Sequence, residues 1–243
     1  MYLSIEEFNN IYDIPDLYNF EKPYIIRGGC KNMTIFNDHS VISSVYNMFE
    51  DVKVDVEVYN SKEDMMNTKY SYTRENVFSD IYHDIMNDKY PYIYIAEFDV
   101  CNINPIMTKF KNDIDDKRYM EEALMFFGNN SYSGCHVHMS NDYILNQIYD
   151  KKIVYLFDYY DNKELKKGLK SNFITENFFH LDHNKLKVYK VEINEGDCLT
   201  IPPWWWHAVK SDGIAFTITK TYMRSDMNYL TKYADNENFL ECY

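Results

Sequence analysis

The chain has 243 residues, of which 46% are hydrophobic, and this is enough for one well-filled core. Its 38 acidic and 25 basic residues give a net charge of −13, which disfavours binding to a phosphate backbone and favours a basic or otherwise cationic partner. Five cysteines without a CxxC pair argue against a disulfide framework, and we recognise neither a signal peptide nor a membrane span. We therefore expect an intracellular protein, cytoplasmic or nuclear.

The composition also favours β-structure. The chain contains 24 Tyr and 15 Phe but only 7 Gly and 6 Pro, and aromatic residues suit pleated, half-buried surfaces. Asn, Asp, Ile, Lys and Tyr are abundant, and their AT-rich codons are typical of a low-GC genome.

Hydrophobic periodicity in the first half of the chain predicts a mixture of helices and strands. One or two helices are predicted over 1–22 and further helices over 40–50 and 74–88, whereas strands are predicted over 22–29, 51–60 and 92–100. In the last of these strands Ile93 and Ile95 face one side, and Tyr94 and Ala96 face the other.

After residue 120 short strands follow one another, which is typical of a double-sheet jelly roll or barrel. They are predicted over Leu124–Gly128, Cys135–Met139, Ile153–Asp158, Leu186–Ile193, Cys198–Ile201 and Ile214–Thr221, with turns at Gly134, Gly196 and Gly213. We therefore predict a mainly β fold with flanking helices. In this fold 1–224 form a single domain, 1–120 support a barrel core over 121–224, and a helical tail over 225–243 caps the barrel or forms a homodimer.

His136 and His138 are the first candidates for chemistry. Residues two apart on a strand point to the same face, so these two imidazoles would project together and clamp a metal ion. The alternative is a pair of surface histidines on an edge strand.

His207 is the second candidate, and it follows directly on the three tryptophans of the chain in the segment EGDCLTIPPWWWH. The prolines end a strand, and the bulky rings indicate a dry, rigid wall in front of the histidine. The alternative is an aromatic core cluster with an incidental histidine, which the upstream pair of histidines makes less attractive.

Lys152 is the third candidate, because it begins the otherwise apolar run KIVYLF. A strand lysine that points into a barrel is poorly tolerated unless it meets an anion. The alternative is a surface lysine whose stem packs on the barrel while its ammonium reaches water.

Three segments resemble a known family. The segment EGDCLTIPPWWWHAV resembles the distal-histidine segment of JmjC-type cupins, the iron(II)- and 2-oxoglutarate-dependent hydroxylases related to the factor-inhibiting-HIF asparaginyl hydroxylase. KPYIIRGG resembles their N-terminal strand, and 126–157 resemble their first metal strand, a helical crossing and the lysine strand. The resemblance covers 20–224 and implies a double-stranded β-helix (cupin) barrel.

The resemblance also implies a metal centre with one departure from the family pattern. His136 and His207 fall on the two metal histidines, but His138 stands where the HxD motif of the family has a carboxylate. A third neutral histidine still suits iron, zinc, nickel or copper. If His138 turned away from the metal, Asp142, Asp197 or water would complete the ligand set.

Four further residues are implied to bind 2-oxoglutarate. Lys152 falls on the lysine that pairs with the distal carboxylate of this cosubstrate, and Ser133 and Tyr94 match residues that contact the same carboxylate. Thr219 occupies a strand position that often lines the cosubstrate pocket.

Three functions follow as hypotheses. The first is hydroxylation of a protein side chain with iron(II) and 2-oxoglutarate, since small members of the family act on proteins and the acidic chain disfavours RNA. The second is a three-histidine cupin dioxygenase of a small molecule, which would not need Lys152. The third is a non-catalytic cupin that binds a metal or ligand, and the HxH departure favours it.

Overall fold

The computed structural model describes residues 2–15, 20–158, 161 and 177–224, which form two β-sheets with a few short helices. The strands are β1 (Glu6–Phe8), β2 (Tyr24–Ile26), β3 (Lys53–Val58), β4 (Tyr72–Val77), β5 (Ile93–Asp99), β6 (Met120–Asn129), β7 (Tyr132–His136), β8 (Asn141–Tyr149), β9 (Lys152–Asp158), β10 (Tyr189–Ile193), β11 (Cys198–Ile201), β12 (Trp205–Lys210) and β13 (Ile214–Met223). The α-helices are α1 (Val41–Phe49), α2 (Lys62–Met66), α3 (Phe78–Met86) and α4 (Asn104–Met107), and 3-10 turns cover Ile11–Asp13, Thr34–Asn37, Thr108–Phe110, Phe178–His180 and His183–Lys185.

The two sheets confirm the predicted mainly β, jelly-roll fold. The larger sheet has nine strands in the order β1-β2-β11-β8-β13-β6-β5-β3-β4, and the smaller has four in the order β10-β9-β12-β7. Neighbouring strands pair antiparallel except β1 and β2, which pair in parallel. Strands β2 and β5 pair directly with β11 and β6, so the first 120 residues extend the same sheet.

Apolar side chains between the two sheets form the interior of the barrel. Leu145 and Leu199 from the nine-stranded sheet pack against Leu156 and Trp205 from the four-stranded sheet. On the other face of the larger sheet, the apolar stripes of α1 and α3 cover a second core. Each sheet therefore has a buried inner face, as alternating strand side chains require.

Several elements match their predicted positions. Helix α1 lies within the predicted helix 40–50 and begins where the Ser40 hydroxyl accepts a hydrogen bond from the Ser43 amide. Strands β3 and β5 lie within the predicted 51–60 and 92–100. Gly196 and Gly213 have φ of +91° and +129°, which confirms both turns because only glycine adopts such values without strain.

Some predictions of local structure are wrong within the described residues. Instead of helix, the N-terminal segment forms β1 and the turn Ile11–Asp13, because β1 gains a partner in β2. The predicted helix 74–88 begins only at Phe78, since Tyr72–Val77 pair with β3. Gly134 lies inside β7 rather than in a turn, and a Cβ there would stand 3.1 Å from the Asn67 carbonyl carbon.

The largest correction concerns 141–149, which the resemblance implied to be a helical crossing. This segment is strand β8, whose backbone is paired on both sides by β11 and β13. Strand β12 was not predicted either, and it forms because its backbone pairs with both β9 and β7. The predicted helical tail 225–243 lies outside the described residues. No helix among the described residues is long and apolar enough to cross a membrane.

Candidate metal centre

Three histidines converge at one end of the space between the sheets. His136 ends β7 and lies directly across from His207 on β12, with the ring centroids 4.2 Å apart. The ring of His138 lies 4.9 Å from that of His136 and 5.2 Å from that of His207. One nitrogen from each ring falls within 4.8 Å of the others, so the three imidazoles can hold one metal ion.

Backbone carbonyls fix the orientation of two of the rings. Nδ1 of His136 lies 2.8 Å from the carbonyl oxygen of Gly134, and Nδ1 of His207 lies 3.1 Å from that of Trp205. Because a carbonyl oxygen only accepts, each Nδ1 carries the hydrogen and donates it. The Nε2 lone pair of each ring is then available to a metal, as in known histidine ligand sites.

His138 reaches the cluster in a different way from the one predicted. Strand β7 ends at His136, so the alternation of a strand does not align the two rings. The carbonyl of His138 instead accepts a hydrogen bond of 2.8 Å from the Trp204 amide, and its ring stacks on that of Tyr143. The segment after β7 is therefore held from both sheets.

The electrostatic setting keeps these imidazoles neutral. Burial lowers the pKa of His136, and it lowers the pKa of His138 and His207 well below the ordinary value of 6.5. The neighbouring rings add to this effect, since His138 and His207 would each be repelled by a charged His136. Neutral imidazole is the form that binds a metal.

The two alternative carboxylates, Asp142 and Asp197, form ion pairs with arginines away from the histidines. Asp142 accepts hydrogen bonds from Arg118 at 2.6 Å and from Arg224 at 2.9 Å in a buried cluster. Asp197 pairs with Arg27 at 2.8 Å. Neither carboxylate lines the cavity beside the histidines.

All seven candidate residues from the sequence line one cavity between the sheets. Its walls are formed by Tyr94, Glu97, Leu124, Phe126, Ser133, His136, His138, Tyr143, Leu145, Lys152, His207, Val209, Thr217 and Thr219. The cavity volume of about 50 Å³ exceeds the roughly 10–15 Å³ that one water molecule needs, so a small ligand has room beside the histidines.

Lys152 points its ammonium into this cavity. The residue is only 3% exposed, and its Nζ lies 3.5 Å from the Tyr94 hydroxyl and 5.5 Å from the centre of the Phe126 ring. No carboxylate among the described residues pairs with it. Burial lowers the pKa of Lys152 to about 7. The cavity therefore offers a buried cation to an anion.

Sequence reasoning missed Tyr143 and Glu97 among the lining residues. Tyr143 lies in the segment that was expected to be helical, although its aromatic and β-branched neighbours favour a strand. Glu97 reaches the cavity through an irregularity of β5 that no sequence pattern signals. The expected tryptophan wall is also different, because Trp205 and Trp206 pack in separate clusters and neither lines the cavity.

Comparison with known proteins adds two findings. The cupin-like domain family matches residues 15–230. A stretch of 35 residues is 43% identical to Jumonji C domain-containing protein 5 of Drosophila melanogaster. That stretch spans 14% of this chain and only 9% of the fly protein, so it supports a relation between segments and not between whole proteins.

Proposed function

This chain belongs to the cupin-like domain family, and from that premise we propose that it is a metal-dependent oxygenase. More specifically, we propose that it uses iron(II) and 2-oxoglutarate to hydroxylate a protein side chain. The observation that carries this proposal is the buried ammonium of Lys152, which faces the same cavity as the three neutral histidines and lacks a described carboxylate partner.

The donor set fits a divalent metal. His136 and His207 present Nε2 because their Nδ1 hydrogens are already donated, and His138 completes a group of three nitrogens. Three imidazoles leave further coordination positions open on an octahedral ion, although they also suit zinc, nickel or copper. Bound iron(II) and 2-oxoglutarate would supply the activation of dioxygen that oxidises a substrate C–H bond.

The residues of the chain would then bind and orient the cosubstrate. Lys152 would pair with the distal carboxylate of 2-oxoglutarate, and the Tyr94 hydroxyl, 3.5 Å from Nζ, would donate to the same group. Ser133 and Thr219 line the same cavity and provide hydroxyl groups beside it. Apolar side chains, among them Leu124, Leu145 and Val209, line the same cavity, and a less polar surrounding would strengthen each of these contacts.

The third histidine is the reason to keep a second candidate function. His138 in place of a carboxylate raises the charge of a metal site by one unit, and this opposes the oxidised states that hydroxylation requires. A three-histidine dioxygenase of a small molecule, or a cupin that binds a ligand without catalysis, would tolerate that charge. The small-molecule dioxygenase would not need the buried lysine in the cavity.

Anaerobic iron(II) loading followed by titration with 2-oxoglutarate tests the proposal. We expect a weak metal-to-ligand charge-transfer band in the wild type, because both components would bind side by side. Lys152→Met should keep the metal and weaken 2-oxoglutarate binding about ten- to a hundredfold, since a charge-assisted bond contributes roughly 1.5–3 kcal/mol. Lys151→Met removes a neighbouring surface charge and should bind like the wild type. A wild type without the band would contradict the proposal.

A further inference from the structure

A groove adjoins the metal cavity. The two spaces share the lining residues Tyr94, Glu97, Phe126, Ser133 and His136. The groove has a volume of about 230 Å³, several times that of the inner cavity. A substrate that reached the metal centre along this groove would contact its walls.

A bulge in β5 places Glu97 in this groove. Tyr94 and Ala96 line it, as residues two apart on a strand should, but Glu97 lines it as well. The pairing of β5 with β6 shifts between Ile95 and Phe98, and Glu97 has a φ of +55°, which is uncommon for a residue with a side chain. The irregular backbone therefore adds a carboxylate to a wall that a regular strand would leave without one.

A second carboxylate faces the groove from β3. Glu57 accepts a short hydrogen bond from the Tyr59 hydroxyl. Burial raises the pKa of Glu57 and of Glu97, and Glu97 raises the pKa of Glu57 further. Among the ion pairs of the described residues, none involves either glutamate.

Tyrosine rings complete the walls around these carboxylates. Tyr59 is 4% exposed and meets the ring of Tyr70 edge to face, with centroids 6.4 Å apart. Tyr70 is 51% exposed and also lines the groove. Tyrosine faces attract ammonium and guanidinium groups.

We propose that this groove binds a cationic side chain, with an ammonium or guanidinium group held by Glu57, Glu97 and the neighbouring tyrosine rings. The inference rests on the proposed function and names the substrate class for the same site. Glu57 is half-buried and Glu97 is more exposed, but burial of each carboxyl group raises its pKa, and a cationic substrate would offset that cost. A neutral amide or an apolar side chain would leave both carboxylates unpaired.

Binding of small probes tests the inference without turnover. The probes are n-butylguanidinium, n-butylammonium and the neutral n-butylurea, titrated calorimetrically into the full chain, with and without zinc(II), at pH 8. Lys152, with a pKa of about 7, is then largely neutral and does not repel the cations. We expect both cations to bind at least about tenfold more tightly than the urea. Equal affinity for the three probes would overturn the inference.

Matched variants test whether the preference for cationic probes depends on Glu57 and Glu97. Glu57→Gln and Glu97→Gln should each reduce the ratio of cation to urea affinity severalfold. Asp55→Asn should leave this ratio unchanged, because Asp55 lies two residues before Glu57 on the same strand but does not line the groove. A ratio that survives the combined Glu57→Gln and Glu97→Gln changes would overturn the inference.

A further pair of variants covers the case in which the glutamine variants do not fold. Tyr70 is half exposed, so Tyr70→Leu should fold, and it should weaken both cations whereas Tyr70→Phe retains their binding. Cation affinity that is unchanged in Tyr70→Leu would then count against the groove. None of these titrations needs 2-oxoglutarate, so the cation preference and the oxygenase proposal can fail independently.

Discussion

The imidazole of His138 lies flat against the phenol ring of Tyr143, with ring centroids 3.7 Å apart and planes inclined by 12°. Tyr143 belongs to β8 of the nine-stranded sheet, whereas His138 follows the last residue of β7 in the four-stranded sheet. This stack therefore connects the two sheets at the candidate metal centre and holds a ring that lies beyond the end of its strand.

Loss of this stack should weaken metal binding. Tyr143→Leu removes the ring that orients His138, and we expect zinc(II) to bind roughly ten- to a hundredfold more weakly, the range found for supporting residues around metal ligands. Tyr143→Phe keeps the ring and serves as the control. Competition with a coloured chelator measures the affinities, and equal affinities in both variants would show that the stack does not position His138.

Removal of His207 should abolish metal binding while the fold remains. His207→Ala takes one of three ligands from the centre, and His39→Ala, which removes an exposed histidine, is the matched control. Because burial lowers the pKa of all three imidazoles from 6.5, the wild type should keep its metal at pH 6.5 and lose it at lower pH. The metal content of the purified proteins tests this prediction. A metal site that is fully occupied in His207→Ala would contradict the ligand set.

His138→Asp should restore the HxD motif of the related hydroxylases. The carboxylate can replace the imidazole as third ligand, so this variant should retain metal that His138→Ala loses. It also lowers the charge of the site by one unit, and we expect faster uncoupled 2-oxoglutarate turnover with iron(II) if the wild type turns over slowly. If His138→Asp and His138→Ala both bind metal as tightly as the wild type, His138 is not a ligand.

The affinity for 2-oxoglutarate should fall as the pH rises above about 7. An anion binds the protonated form of Lys152, whose pKa in the free protein is about 7 because of burial. Above that pH, binding must also take up a proton, so the dissociation constant should rise roughly tenfold per pH unit until the pKa of the complex is reached. Lys152→Met should show no such slope when both proteins are titrated from pH 6 to 9.

The buried cluster around Asp142 should be a major contributor to stability. Asp142 pairs with Arg118 and Arg224, and the side chains of all three residues are at most 4% exposed. Asp142→Asn removes a buried negative charge that both arginines contact, and we expect a loss of about 3–5 kcal/mol in the free energy of unfolding. Glu75→Gln, which breaks an exposed pair with Lys53, should change it little. Urea denaturation measures the free energy of unfolding of both variants.

The sequence predicted the parts of the fold that depend on local patterns. Helix α1 has an apolar stripe and a serine cap, and β11 has a glycine turn before it and a proline after it, so their positions were predicted within a residue or two. Strand β8 was missed because the resemblance implied a helical crossing there, although the aromatic and β-branched residues of this segment favour a strand.

Some residues of the candidate site were predicted from the sequence, and others were found only in the structure. His136, Lys152 and His207 were identified from residue type and context, and the structure brings them into one cavity. Glu97 could not be identified, because it depends on a bulge set by the register between β5 and β6. The support that Tyr143 gives to His138 was equally hidden, since it requires the distance between two sheets.

The position of β13 has a consequence for synthesis on the ribosome. This strand comes last among the described elements, yet it fills the middle of the nine-stranded sheet between β8 and β6. A nascent chain that ends before Ile214 therefore leaves two long strand edges open, and open edges invite pairing with other chains. We expect the larger sheet to close only after translation has passed Met223, and arrested shorter chains to depend on chaperones until then.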